Sequence, residues 1–132
     1  MMQTFITCRD VMNQRYEIVD GLTTVADALK IMVEKNYRKV IINRRDHSDE
    51  FGMVELSDIA RKVIGQNKSL ERVNVYEIMS KPVISVRPEM NIKYCSRLFD
   101  TYNLRSAPVI ENEELIGVVS YDDIVMNWIK LL

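Results

Sequence analysis

The sequence predicts a mixed α/β (α+β) fold in which two β-α-β-β-α repeats pack as one pseudo-two-fold-symmetric module. Three observations predict it. The chain resembles itself at a fixed offset, each copy mixes short apolar runs with helical stripes, and a unit of roughly 60 residues is too small to close a core unaided. A shift of 67 residues places Val11-Met12 on Ile78-Met79, Gly21 on Pro88, Asn36 on Asn103 and Arg38 on Arg105. Past a loop two residues longer in the first copy (44–50), the shift becomes 65. Gly52 then meets Gly117, Val54 meets Val119 and Asp58 meets Asp123. The repeats are therefore assigned to 1–65 and 75–132. The polar, aperiodic stretch 66–74 reads as a linker.

In the first copy Tyr16 to Val19 reads as a strand closed by an Asp20-Gly21 turn. Thr24 is placed to cap a helix, with Asp27 three residues on to complete a capping box. Val25, Ala28, Leu29, Met32 and Val33 follow at helical spacing. Val40-Ile41-Ile42 does not alternate, as expected of a buried strand, and Phe51 to Val54 is a second run. Ile59, Ala60, Val63 and Ile64 form another helical stripe, with Gly65 as its stop. The second copy predicts a strand from Val83 to Val86 and an Asn91-capped helix carrying Ile92, Cys95, Phe99 and Tyr102. Two strands (107–110 and 115–119) precede a Ser120-capped helix with a stripe of Ile124, Val125, Trp128, Ile129 and Leu132. That stripe stays apolar to the last residue, so part of it is left over for a partner.

Of the 132 residues 47% are hydrophobic and 28% charged, which is ordinary globular usage rather than disorder. Eighteen basic residues against nineteen acidic ones give a net charge of −1, without the electrostatic footprint of a nucleic-acid binder. His47 is the only histidine and sits with Asp49 in a mixed-charge loop, a poor metal site. The four glycines are too scattered for a phosphate-cradling loop. Cys8 and Cys95 match no zinc or redox spacing and read as reduced, buried thiols. No signal peptide or membrane span is expected, so the cytoplasm is the expected compartment. No nucleophile–base pair stands out, which points away from an enzyme.

The strongest local patterns are Gly52-Met-Val-Glu-Leu-Ser-Asp58 and Gly117-Val-Val-Ser120-Tyr-Asp-Asp123. Ser120 and Asp123 at capping-box spacing satisfy a helix start in either of two ways: as a plain cap, or as an anion site whose carboxylate accepts ribose hydroxyls. These signatures, the Val11-Met12 and Ile78-Met79 starts, and Asn-Leu-Arg-Ser-Ala-Pro-Val at 103–109 resemble a tandem cystathionine-β-synthase-like (CBS) domain pair, as in stand-alone CBS-domain proteins. The resemblance spans about residues 8 to 132. It implies two clefts between the copies that bind an adenosine-containing ligand such as AMP, ATP or S-adenosylmethionine.

Carried onto this chain, the resemblance implies one cleft with Ser120 toward phosphate and Asp123 toward ribose. Arg38 would face the phosphate, Tyr37 the purine, and the strand at Glu17 the base. It implies a second cleft with Asp58, Leu104, Arg105 and the strand at Ile84. There the sequence departs from the family pattern, because Glu55 stands where Ser120 stands in the other copy. A carboxylate about 4 Å from a phosphate is repelled by about 4 kcal/mol at an effective dielectric of about 20, so the Ser120 side is expected to be the better site. The expected role is a regulatory sensor that signals to an unidentified protein and forms a homodimer. The alternative is an assembly module with vestigial clefts.

Overall fold

The apolar run that does not alternate lies at the centre of the first sheet. In a computed structural model, which describes residues 5–81 and 84–131, Lys39–Ile42 (β2) runs between Glu17–Val19 (β1) and Gly52–Glu55 (β3), and all four β2 residues are buried. β1 is parallel to β2, with Ile18 opposite Ile41. β3 is antiparallel, with Val54 opposite Val40. A short helix, Cys8–Val11 (α1), precedes this sheet in the chain. A parallel pair needs a crossover, and Val25–Lys35 (α2) supplies it.

Thr24 caps α2 by accepting from the Asp27 N–H at 3.1 Å. The expected return bond from Thr24 N–H to Asp27 is not made, and the exposed Asp27 carboxylate stands 3.9 Å from Lys30. Val25, Ala28 and Met32 of the predicted stripe are buried, yet Val33 is 74% exposed. It lies about 100° round the helix from the centre of those three, beyond the arc that one sheet covers. Asn36 ends α2 in the left-handed region, at φ 57, and Asn103 does the same in the second copy at φ 54. Asn tolerates that conformation because its short amide bonds locally.

β3 runs into Leu56–Ile59 (α3), which continues as a π-helical turn, Ala60–Ile64. The predicted stripe is half right: Ile59 and Val63 are buried, whereas Ala60 and Ile64 are exposed. The wider turn, closed by Gly65 N–H to Ala60 O, carries the chain off the 3.6-residue period. Gly65 follows at φ −65 rather than in the left-handed stop expected of it.

The second repeat folds alike. Ile92–Tyr102 (α4) leads to a hairpin of Ser106–Glu111 (β4) and Glu114–Ser120 (β5), followed by Tyr121–Lys130 (α5). Asn112 and Glu113 turn that hairpin at φ 52 and 67, the mirror-image turn that suits strand twist. Of the strand expected at 83–86, Val83 lies outside the described residues, and Val86 makes a single parallel bridge to Val109. Leu132 of the last stripe also lies outside them.

The compact units do not follow the repeats. One contains residues 1–14 and 84–132, and the other residues 15–83. Each repeat's leading segment closes the sheet of the other. Asn13 exchanges two backbone hydrogen bonds of 2.9 Å with Val118 on β5, and Ser80 pairs in the same way with Met53 on β3. Gly117 and Gly52 make room for the methionine just before. A Cβ there would stand 2.6 Å from Met12 Sδ, or 2.5 Å from Met79 Sδ. Neither glycine has a positive φ, so space alone requires it.

The unit formed by 1–14 and 84–132 centres on Val11, Phe99, Val109 and Val119. Cys8 and Cys95, remote in sequence, meet there fully buried. The neighbouring Cys95 thiol and the burial push the Cys8 thiol far above the ordinary range. The pair thus acts as small core hydrophobes, as expected. Gly117→Ala is expected to lower stability by about 1–3 kcal/mol, since its Cβ also meets Asn13 O at 3.2 Å. Urea denaturation measures this; an unchanged midpoint would show that the Met12 seat tolerates a methyl group.

Candidate functional site

Both strand-to-helix junctions are built by the same pairing. Ser106 lies opposite Ser120, and Lys39 opposite Glu55, so each arginine just before its strand comes beside a helix start. Arg105 O accepts from Tyr121 N–H at 3.3 Å, and Arg38 O from Leu56 N–H at 3.2 Å. Both side chains are exposed and, among the described residues, without an ion pair.

At the first residue of the α5 junction the capping box is complete. Ser120 Oγ accepts from Asp123 N–H at 3.2 Å and donates to Asp123 Oδ2 at 2.9 Å, and Ser120 N–H donates to the same oxygen at 2.9 Å. A third donor comes from far along the chain, Asn13 Nδ2 at 2.7 Å. All three bonds converge on Oδ2. Among the described residues Oδ1 of the half-buried Asp123 accepts none, and no buried side-chain oxygen lacks a partner, so Oδ1 faces solvent. The hydroxyl's one proton is committed to Asp123, so a phosphate at Ser120 would have to draw it away.

The α3 junction differs in charge. Glu55 N–H donates to Asp58 Oδ2 at 2.9 Å, while Arg61 donates to Asp58 Oδ1 at 3.1 Å and Lys62 stands 3.8 Å from it. Asp58 is buried with both oxygens engaged. Lys62 also donates to Ile78 O at 2.9 Å, which ties this cluster to the leading segment.

Glu17 and Tyr37 come together around Lys35, which lies 2.7 Å from the Glu17 carboxylate and 5.9 Å from the Tyr37 ring centre. The hydrogen bond to Glu17 holds the Lys35 ammonium above its usual value. β1, which carries Glu17, is an edge strand of its sheet. Glu17, Tyr37 and Arg38 belong to the 15–83 unit, and Ser120 and Asp123 to the other. Leu104 packs half-buried against the core of that other unit, where Ile84 is also half-buried. Sequence reasoning missed Asn13 and Arg61. Arg61 was legible as the i+3 partner of Asp58; Asn13, 110 residues from Asp123, carried no local signal. Asp49, weighed with His47 as a metal ligand, is instead bound by Arg45 and Lys81.

The CBS domain family profile matches residues 8–65 and 75–129, and the chain belongs to that family. A mitochondrial CBS domain-containing protein of Arabidopsis thaliana is 30% identical over 90% of this chain and 63% of its own length. The chain spans about three-fifths of the first curated relatives it matches. Among solved structures, the hexameric CBS-CP12 protein from bloom-forming cyanobacteria superposes with a TM-score of 0.89 at 37% identity, covering 93% of this chain and 68% of that one. A CBS domain pair in complex with 5′-methylthioadenosine and S-adenosyl-L-methionine has a TM-score of 0.77 at 23% identity, covering 92% and 98%, and shares the fold. No helix among the described residues is long and apolar enough to cross a membrane.

Ser120→Ala is expected to cost about 0.5–2 kcal/mol, because it removes both side-chain bonds of the cap. Thermal unfolding measures it; a neutral result would show that the Asn13 and Ser120 N–H bonds suffice to seat Asp123.

Proposed function

We propose that this chain is a regulatory module that binds an adenosine-containing molecule at the Ser120–Asp123 junction. Binding then shifts the populations of arrangements that a regulated protein reads. One observation carries the reading: Asp123 keeps an open carboxylate oxygen, whereas both oxygens of Asp58 are engaged. An open carboxylate beside a helix start suits the vicinal hydroxyls of a ribose. The family, and the solved pair that holds two adenosine compounds, support the ligand class.

Within that class AMP or ATP is favoured, because Arg38 is an exposed arginine without an ion pair among the described residues and so a ready counter-charge for phosphate. Tyr37 and the β1 edge at Glu17 are the proposed contacts to the base. The Glu55–Asp58 junction, with Leu104, Arg105 and Ile84, is the weaker site. Any response is limited by the ligand's differential affinity for the two arrangements.

Calorimetric titration with AMP is expected to show Asp123→Ala losing about tenfold or more in affinity and Asp58→Ala about twofold or less. Equal losses would overturn the asymmetry. No heat with AMP, ATP or S-adenosylmethionine would overturn the sensor reading and favour an assembly module.

Self-association is the second element. On α5, Val125, Met126 and Ile129 are 58%, 59% and 57% exposed, a patch of the kind that marks an interface. The hexameric CBS-CP12 relative supports assembly through the fold. We expect light scattering at micromolar concentration to return a homodimer, and Ile129→Asp to return a monomer. A wild-type mass of about 15.4 kDa would overturn this.

A further inference from the structure

We infer that the first repeat carries a separate ligand site, a pocket at the carboxyl ends of β1 and β2 that takes a small anion with a flat apolar body. The two parallel strands end side by side and leave a cavity of about 760 Å³, within the roughly 300–1,000 Å³ of small-molecule sites. Its floor is the buried pair Val19 and Ile42. Its walls include three large apolar side chains left in solvent: Ile18 at 46% exposure, Leu22 at 72% and Tyr76 at 50%. Singly such residues need no explanation, but three converging on one cavity do.

The rim is basic. Arg44, Arg45 and Lys81 line the cavity against Asp20 alone. Asp49, outside the lining, lies 3.0 Å from Arg45 and 2.7 Å from Lys81 and holds both in place. Arg44 lies 5.1 Å from the Phe51 ring centre. The lining itself, Arg44, Arg45 and Lys81 against Asp20, carries two net positive charges, while Asp49 and Asp46 stand behind Arg45 outside it. The hold of Asp49 on Arg45 and Lys81 lowers the cost of ordering them around an anion.

The second repeat shows that the fold does not require this character. Tyr76 N–H bonds Gly21 O at 3.1 Å, and at the equivalent positions Arg9 N–H bonds Pro88 O at 2.9 Å. On that shared frame Ser85 replaces Ile18, Glu89 replaces Leu22, Glu111 replaces Arg44, and Arg9 replaces Tyr76. Arg9 and Glu111 then close an ion pair with each other. The apolar wall and basic rim thus belong to one copy only, as a specific site would and a packing need would not.

The test uses 8-anilinonaphthalene-1-sulfonate, a flat aromatic anion, by fluorescence titration of the full chain. Leu22→Glu and Arg44→Glu import the residues the sister repeat already holds, and an unchanged melting temperature confirms folding. The wild type is expected to bind one equivalent saturably, each variant about tenfold or more weakly, and Asp123→Ala as the wild type does. The uncharged N-phenyl-1-naphthylamine is expected to bind about tenfold more weakly than the anion. Displacement of the dye by benzoate or by AMP tells a carboxylate from a phosphate ligand. Wild-type affinity in both variants, equal affinity for the uncharged dye, or no saturable binding would each overturn the site. Because Asp123→Ala is spared, its failure and that of the adenosine reading are separable.

Discussion

The pairing of Asn13 with Val118, and of Ser80 with Met53, is the interaction on which the rest depends. It completes each sheet with a segment that belongs, in sequence, to the other repeat. It also sets Met12 over Gly117 and Met79 over Gly52, where any larger residue would collide with the thioether. A repeat of about 60 residues is near the size at which a single core only marginally offsets the entropy of ordering it. Borrowing a leading segment adds Val11 to one core and Val75 and Ile78 to the other.

The same pairing decides the chemistry of the two helix starts. Asn13 reaches Asp123 only because its backbone is held on β5, and it brings a neutral donor. The equivalent position in the other copy is Ser80, and there Asp58 is met by Arg61 and Lys62 from its own helix. Two junctions that read alike therefore differ where it matters for a ligand. One carboxylate has an oxygen to offer, and the other is already paired. Repulsion by Glu55 is the difference the sequence predicts between the junctions; the engagement of Asp58 by Arg61 is a second difference, which the structure shows. The pocket at the ends of β1 and β2 extends this divergence to a surface where the copies share a frame and little else.

Much of the fold was legible in the sequence because its signals are local. Caps at Thr24, Asn91 and Ser120 and the non-alternating run at 40–42 depend on residues within a turn or two of each other, and the repeat offset needs only that such short patterns recur. Misreadings arose where the local rule did not hold. Asp27 made no return bond to Thr24, Val33 fell outside the covered arc, and the π-helical turn after α3 put Ile64 in solvent. Of the candidate site, the Ser120–Asp123 box was legible from spacing; the donor that completes it was not.

The sequence by itself determined the repeat, the element order, the caps and the family, because periodicity and spacing are properties of short windows. Only the tertiary structure decided which leading segment closes which sheet, that Cys8 and Cys95 share one core, and that Asp123 and Asp58 differ in their free oxygens. The first two turn on contacts between residues far apart in the chain, which short windows of sequence do not contain; the third turns on side-chain geometry, since Arg61 folds onto Asp58 Oδ1 and, among the described residues, no side chain does so at Asp123 Oδ1.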